Sequence, residues 1–189
     1  PDNPESGKRK IPFSREIYIE QDDFREDPPN KFFRLAPGRE VRLKYAYLVT
    51  CQNVVKDASG KITEIHCTYD PATKGGDSPD GRKVKGTIHW VSVQHSLEAE
   101  VRLYEHLFVT ADMNTAEGDY RSHLNPKSLT VIKGYIEPGL TAASSGAKFQ
   151  FERTGYFCVD NADSKPGKPV FNRTVTLKDS WTKIEKKEG

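Results

Sequence analysis

The chain has 189 residues, and its 29 Lys and Arg residues nearly balance its 27 Asp and Glu residues, which leaves a formal charge of +2. Its apolar runs are short, so a membrane-spanning helix, which needs roughly 18 to 20 apolar residues, is excluded. The small net charge does not by itself indicate nucleic-acid binding. An odd count of 3 cysteines at wide spacings argues against a disulfide framework and predicts a reducing, cytoplasmic location.

Alternation of apolar and polar residues, rather than a helical period, predicts β-strands along most of the chain. In chain order, this alternation covers residues 41–47, 62–65 and 88–90. Residues 98–108 fit either a strand or a helix, and we favour the strand. Turn-forming residues at 56–61 and 153–155 predict two hairpins. Residues 21–24 and 138–144 are short helical candidates.

Three longer breaks, two of them rich in Pro and Gly, divide the predicted strands into two blocks, near residues 13–110 and 126–182. The breaks lie at 70–81, 111–125 and 160–169. Many short strands separated by frequent turns indicate an all-β protein built as a barrel or sandwich pair.

Residue patterns for catalysis or metal binding are incomplete. His66 and Cys67 are adjacent, so on a strand they point to opposite faces and do not chelate one metal ion together. Residues 76–83 resemble a phosphate-binding loop, but Arg82 stands at the Lys position and a strand-like run follows instead of a helix. The sequence therefore predicts no metal site, no cofactor and no catalysis in this chain.

Basic and aromatic residues are concentrated in three places. Between residues 25 and 44, several cations flank Phe32 and Phe33. Period two places Arg42 and Lys44 about 7 Å apart on one strand face, and Val41, Leu43 and Tyr45 on the other, core-facing side. Residues 148–153 combine Phe149 and Phe151 on one face with Lys148 and Gln150 on the other. The third cluster consists of Arg82, Lys83 and Lys85. Such patterns suit recognition of unpaired bases, but they also fit a solvated sheet face, and spacing leaves both interpretations open.

Many ordered stretches, spanning 11–14 to Trp181, closely resemble the C-terminal anticodon-binding region of bacterial glutaminyl-tRNA synthetases. They include Asp23-Phe24-Arg25-Glu26, Gly38-Arg39-Glu40-Val41-Arg42-Leu43, Asp80-Gly81-Arg82-Lys83-Val84-Lys85-Gly86, His89-Trp90-Val91-Ser92, Phe149-Gln150-Phe151-Glu152-Arg153 and Phe171-Asn172-Arg173-Thr174. Resemblance over nearly the whole chain implies the fold of that region, which a ribosomal protein also resembles.

The resemblance implies two β-barrels, with a distal barrel inserted between the strands of a proximal one. On this basis, residues 1–27 begin the proximal barrel, 28–110 form the distal anticodon-binding barrel, 111–182 complete the proximal barrel, and 183–189 are a polar tail. The Pro1 start predicts a fragment of a longer parent protein. The resemblance implies that the catalytic domain and the first strand of the proximal barrel lie upstream of Pro1.

The resemblance also implies roles for individual residues. Arg34 corresponds to a reader of the third anticodon base, Arg42 and Lys44 to contacts with the first base, and Gln150 with Arg153 to readers of the central uracil. Contacts with the tRNA backbone are expected from Lys178, with Lys31 and Arg82 as further candidates. Two departures from the best-known bacterial members are Lys44 at an Arg position and Phe33 at a Lys position, and Lys44 lacks the bidentate fork of Arg.

The function implied is recognition of the anticodon loop of a glutamine tRNA by a chain that is not itself an enzyme. Its parent would be a class I synthetase, a glutamine--tRNA ligase, which uses ATP and Mg²⁺. We expect a monomer with no DNA or membrane partner. Two alternatives stay open: the anticodon-binding domain of a eukaryotic-type glutamyl-tRNA synthetase, and a non-catalytic β-barrel module for RNA binding or protein interaction.

Overall fold

The protein is all-β, as predicted. The computed structural model describes residues 7, 9–76 and 78–177, in which eleven strands and four 3₁₀ turns occur without an α-helix. The strands are β1 (Ile17–Ile19), β2 (Glu40–Leu43), β3 (Leu48–Lys56), β4 (Ile62–Asp70), β5 (Thr87–Ile88), β6 (Trp90–Ser92), β7 (Leu97–Tyr104), β8 (Leu129–Ile136), β9 (Lys148–Phe151), β10 (Gly155–Val159) and β11 (Val170–Val175).

The four 3₁₀ turns lie between strands and are three or four residues long. They are Gln21–Asp23, Pro71–Thr73, Tyr120–His123 and Pro138–Leu140. The first and last fall within the short helical candidates of the sequence. No helix in the described part of the chain has the length and apolar character needed to cross a membrane.

The chain divides into two compact units. The inserted unit comprises residues 12–94, and the flanking unit comprises residues 1–11 and 95–189, as far as these are described. The sequence placed the domain boundaries instead near residues 27 and 110. The boundaries differ because β1 pairs with β6, and because β7 pairs with β8 and β11.

The inserted unit contains a four-stranded sheet in the order β4-β3-β2-β5 and the two-stranded sheet β1-β6. β2, β3 and β4 are consecutive antiparallel strands, whereas β5 pairs parallel to β2. Val41, Leu43, Leu48 and Ile88 are each only 1% exposed and form the core beneath this sheet. The predicted hairpin at residues 56–61 is confirmed by the pairing of β3 with β4.

The predicted strand at residues 41–47 is confirmed over residues 41–43 and wrong over residues 44–47. β2 ends at Leu43, and the chain reverses so that Arg42 pairs with Leu48. The Leu43 amide donates to the Tyr47 carbonyl at 2.9 Å, and Tyr45 has a φ of 59°. Lys44 and Tyr45 therefore lie in a tight turn between β2 and β3, and Tyr45 is exposed instead of core-facing.

The flanking unit contains one five-stranded sheet in the order β8-β7-β11-β10-β9. β11 is its central strand, parallel to β7 and antiparallel to β10. The core contains Phe157, which is 2% exposed, and Phe171, which is fully buried. Because strand pairing ends at β8 and β9, hydrogen bonds between described residues do not close the sheet, an arrangement compatible with a partly open barrel.

Candidate nucleic-acid interface

Arg34 is held by the segment that precedes β2. Its Nη1 donates to the Asp22 carbonyl at 2.8 Å and lies 3.4 Å from Oδ1 of Asp23, whose side chain is 1% exposed. The Leu35 amide donates to the Asp23 carbonyl at 3.0 Å, which fixes the backbone beside Arg34. The Arg34 side chain is still 37% exposed. Since a guanidinium has five N–H donors, Arg34 can be anchored and still present donors to a ligand.

The loop residue before Arg34 presents an aromatic surface. Phe33 is 53% exposed, and Lys85 Nζ lies 5.2 Å from the centroid of its ring. Gly86 lets the two segments meet, because a Cβ at this position would lie 2.5 Å from the Phe33 carbonyl oxygen. The sequence left open whether Phe33 belongs to the core, and the structure places it on the surface with a cation over its ring.

Arg42 projects from β2 on the face opposite to the buried Val41 and Leu43. Its Nη1 donates to the Thr73 carbonyl at 3.4 Å, and the residue is half-buried. Thr73 is itself fully buried, and its hydroxyl accepts from the Leu48 amide at 2.9 Å. The guanidinium of Arg42 thus contacts the carbonyl of the buried last residue of a 3₁₀ turn.

Lys44 does not share a strand face with Arg42, which corrects the spacing of about 7 Å expected from an extended strand. Its backbone is nevertheless fixed: the Lys44 amide donates to Ile88 at 3.0 Å, and Trp90 Nε1 donates to the Lys44 carbonyl at 3.1 Å. Lys44 Nζ lies 5.2 Å from the centroid of the Tyr45 ring. Contact between Lys44 and the first anticodon base stays a prediction, with Lys44 in a turn and not on a strand.

Arg82 is the centre of an ion-pair cluster. Its guanidinium donates to Glu40 at 2.9 Å, Asp70 at 2.6 Å, Asp80 at 2.6 Å and the Ser78 hydroxyl at 2.6 Å. The Ser78 hydroxyl, the Arg82 amide and the Arg82 guanidinium lower the pKa of Asp80 to about 2. The Arg82 guanidinium also holds the pKa of Asp70 below its ordinary value. Because three carboxylates surround this cation, it offers little net positive charge to a phosphate.

The two remaining candidates for backbone contacts differ in what the structure shows. Lys31 is exposed, with a φ of 67°, in a turn where the Phe32 amide donates to the Pro29 carbonyl at 3.2 Å. Lys178 lies outside the described residues. For Lys31, Arg82 and Lys178 alike, contact with the tRNA backbone stays a prediction.

Gln150 projects from β9 as the alternation predicted. Lys148 and Gln150 are exposed, whereas Phe149 and Phe151 are half-buried. The Phe151 ring stacks on Phe157 with centroids 4.3 Å apart, which anchors the inner face of β9. On the outer face, Gln150 pairs across the strands with Tyr156, which is 46% exposed. Gln150 and Tyr156 are therefore cross-strand partners, and both are exposed.

Arg153 lies in the turn that joins β9 to β10, as predicted for this hairpin. It is exposed and has a φ of 63°, and the Thr154 amide donates to the Phe151 carbonyl at 3.0 Å. Gly155 follows, and a Cβ there would lie 2.6 Å from the Val175 carbonyl oxygen. Gln150 and Arg153 are therefore presented by one hairpin whose geometry is tightly constrained.

The predicted readers fall into two sets. Arg34, Arg42 and Lys44 belong to the inserted unit, and Gln150 and Arg153 belong to the flanking unit. Within residues 7, 9–76 and 78–177, no group of three or more His, Cys, Asp or Glu side chains is placed to hold a metal ion. The exposed Tyr45 was missed by sequence reasoning, because alternation assigned it to the core.

Comparison with known families gives these residues a context. Two family models match the chain, over residues 1–70 and 87–160, and both are described as tRNA synthetases class I (E and Q), anti-codon binding domain. The all-β fold and these matches define the class: anticodon-binding domains of class I tRNA synthetases. The chain belongs to the E and Q family of these synthetases and forms its anticodon-binding region.

Similar full-length proteins are named glutamine--tRNA ligase. That of Nitrobacter hamburgensis is 59% identical over 97% of this chain, that of Clostridium kluyveri is 53% identical over 99%, and that of Vibrio parahaemolyticus is 52% identical over 98%. The alignments cover 32%, 34% and 33% of these three proteins, respectively. The chain thus spans about a third of the length of the curated relatives it matches.

Proposed function

We propose that this chain recognises the anticodon loop of a glutamine tRNA. The observation that carries the proposal is Gln150, an exposed amide on β9 whose inner face is anchored by Phe151. An amide supplies both a donor and an acceptor, which suits the edge of a uracil. Arg153, presented three residues later by the same hairpin, adds a cationic fork. RNA-binding proteins read such unpaired bases by their edges.

The other bases are assigned to the inserted unit. Following the resemblance, we assign the third anticodon base to Arg34, whose guanidinium is anchored by Asp22 and Asp23 and remains partly exposed. Arg42 and Lys44 contact the first base or its phosphate from β2 and the turn that follows it. Phosphate neutralisation by these cations makes binding sensitive to salt.

For the longer protein that would contain this chain, we propose the activity named for its relatives. It attaches glutamine to tRNA as a class I synthetase, and ATP and Mg²⁺ act in a catalytic part that this chain does not supply. We propose that the protein acts as a monomer in the cytoplasm. The family description covers both E and Q enzymes, so charging assays with glutamine and glutamate tRNAs test the specificity.

The test of base reading uses Arg34→Ala and Gln150→Ala in the full-length enzyme, with cognate and anticodon-substituted tRNAs. Each variant is expected to lose discrimination at one base, the third for Arg34 and the central base for Gln150. Arg121→Ala removes an exposed Arg and Gln52→Ala an exposed Gln outside the proposed readers, so both serve as controls. Equal losses for cognate and substituted tRNAs would show that Arg34 and Gln150 do not read bases.

A phosphate contact by Arg42 is tested by the salt dependence of binding. Each neutralised phosphate on a single strand contributes about 0.7 to the slope of log K against log salt. Arg42→Ala is expected to lower the slope by about that amount, whereas Arg121→Ala leaves it unchanged. An unaltered slope for Arg42→Ala excludes the phosphate contact.

A further inference from the structure

Tyr45 is the most exposed large apolar or aromatic side chain among the described residues. Its exposed fraction is 73%, compared with 53% for Phe33 and 55% for Tyr120. An aromatic side chain contributes to folding mainly by burying its ring, and Tyr45 buries little. The packing of the inserted unit therefore gives no account of a tyrosine at this turn.

The backbone of Tyr45 has a conformation that disfavours a large side chain. Its φ of 59° lies in the left-handed region, where Gly, Asn and Asp are the usual residues. The turn is fixed on both sides, because the Ala46 amide donates to the Leu43 carbonyl and the Gly75 amide to the Ala46 carbonyl, both at 2.8 Å. Strained conformations that the surroundings hold in place are concentrated at functional sites.

The neighbours of the Tyr45 ring match the chemistry of single-stranded nucleic-acid binding. Lys44 Nζ lies 5.2 Å from the ring centroid, and Arg42 lies two residues before Lys44 at the end of β2. Proteins that bind unpaired nucleotides combine an exposed aromatic ring, on which a base stacks, with cations that follow the phosphates. Most of the Tyr45 side chain is exposed, so it offers a surface to a base beside Lys44.

We propose that Tyr45 is a stacking platform for the first anticodon base, with Lys44 beside the adjoining phosphate. This inference rests on the proposed function and adds to it a binding residue and a mode of contact. Stacking on an aromatic ring tolerates any base, so Tyr45 supplies affinity while Arg42 and Lys44 make the polar contacts. Because hydrogen bonds already fix the backbone of the turn, binding does not have to order that backbone.

The experiment places the fluorescent base 2-aminopurine at the first anticodon position of a glutamine-tRNA anticodon stem-loop and titrates it with the full-length enzyme. Stacking quenches this fluorophore. The wild type and Tyr45→Phe are expected to quench it, whereas Tyr45→Ala abolishes the quench and weakens binding about 5- to 150-fold. Tyr120→Ala is a matched control, because Tyr120 is an exposed tyrosine with the Arg121 guanidinium 5.6 Å from its ring centroid.

Tyr45→Gly separates a binding defect from a folding defect. Glycine adopts a positive φ without steric cost, so this variant is expected to keep or raise the melting temperature and still lose the quench. If Tyr45→Gly binds and quenches like the wild type, the stacking role is overturned while the proposed function stands. If the wild-type full-length enzyme does not bind the stem-loop, the proposed function fails, and the stacking role fails with it.

Discussion

Arg82 donates two hydrogen bonds to Glu40: its Nε and Nη2 each lie 2.9 Å from a different oxygen of the Glu40 carboxylate. Such bidentate pairs fix the orientation of both groups as well as attracting them. The same Nη2 lies 2.6 Å from Asp70, at the end of β4. One guanidinium therefore joins the start of β2, the end of β4 and the loop that carries Arg82 itself.

Removing the Arg82 guanidinium is expected to destabilise the inserted unit. Arg82→Ala leaves Glu40, Asp70 and Asp80 mutually repulsive, so its melting temperature falls below that of the wild type. Arg82→Lys keeps the charge but not the fork, and its melting temperature should lie between the two. Thermal unfolding followed by circular dichroism measures the effect. Lys83→Ala removes an adjacent exposed charge as a control, and an equal loss there would refute the structural role of Arg82.

The pair of Arg34 and Asp23 predicts an indirect effect on base reading. Asp23→Asn keeps Arg34 itself but removes the carboxylate charge that lies near Arg34 Nη1. Because Arg34 is then held less firmly, discrimination at the third anticodon base should fall severalfold. Asp22→Asn is the matched control, because Asp22 holds Arg34 through its backbone carbonyl. Charging of tRNAs altered at the third base measures both. Identical discrimination in the two variants would show that Asp23 does not position Arg34.

Acid is expected to weaken the flanking unit through Asp160. The Asp163 amide, the Asn172 side chain and the Ala162 amide lower the pKa of Asp160 to about 2. A carboxyl whose pKa is lowered by folding stabilises the protein above its unfolded pKa of about 4, and this contribution is lost as pH falls towards 2. Urea unfolding at pH 6 and pH 3 should show a smaller decrease for Asp160→Asn than for wild type. Asp27→Asn, at an exposed site, should behave like wild type.

Cys67 is expected to react slowly with alkylating agents although part of the residue is exposed. Burial of its thiol and the facing Cys51 raise the pKa of Cys67 to about 12. At pH 8 this leaves on the order of a thousandfold less thiolate than a free cysteine has. Mass spectrometry after iodoacetamide treatment should show Cys67 modified well over tenfold faster in urea than in buffer. Similar rates in the two conditions would contradict the raised pKa.

Local turn chemistry decided how much of the fold could be predicted. The hairpin after β3 contains Asp57 and Gly60, and Asp57 Oδ1 accepts from the Ser59 and Lys61 amides, so its turn was visible in the sequence. The turn after β2 contains Lys44, Tyr45 and Ala46, none of which marks a reversal. An alternating run therefore concealed a turn that only the pairing of β2 with β3 imposes.

At the candidate site, too, local features could be predicted from the sequence and long-range contacts could not. Gln150 could be placed on the outer face of β9, because alternation with Phe149 and Phe151 is a local property. The partners of Arg82 could not be predicted, since Glu40 is distant in sequence and meets it only when the sheet forms. Sequence showed which side chains carry charge, and tertiary structure showed which charges are already neutralised.

The central position of β11 sets an order for folding during synthesis. The described strands of the inserted unit, β1 to β6, have all been synthesised once Ser92 has left the ribosome. The flanking sheet must wait, because Glu100 on β7 pairs with Val170 on β11. β11 joins the antiparallel pair β7-β8 to the hairpin β9-β10. Pairing across so long a loop is intrinsically slow. The hairpin that presents Gln150 therefore gains its complete support only at the end of translation of this region.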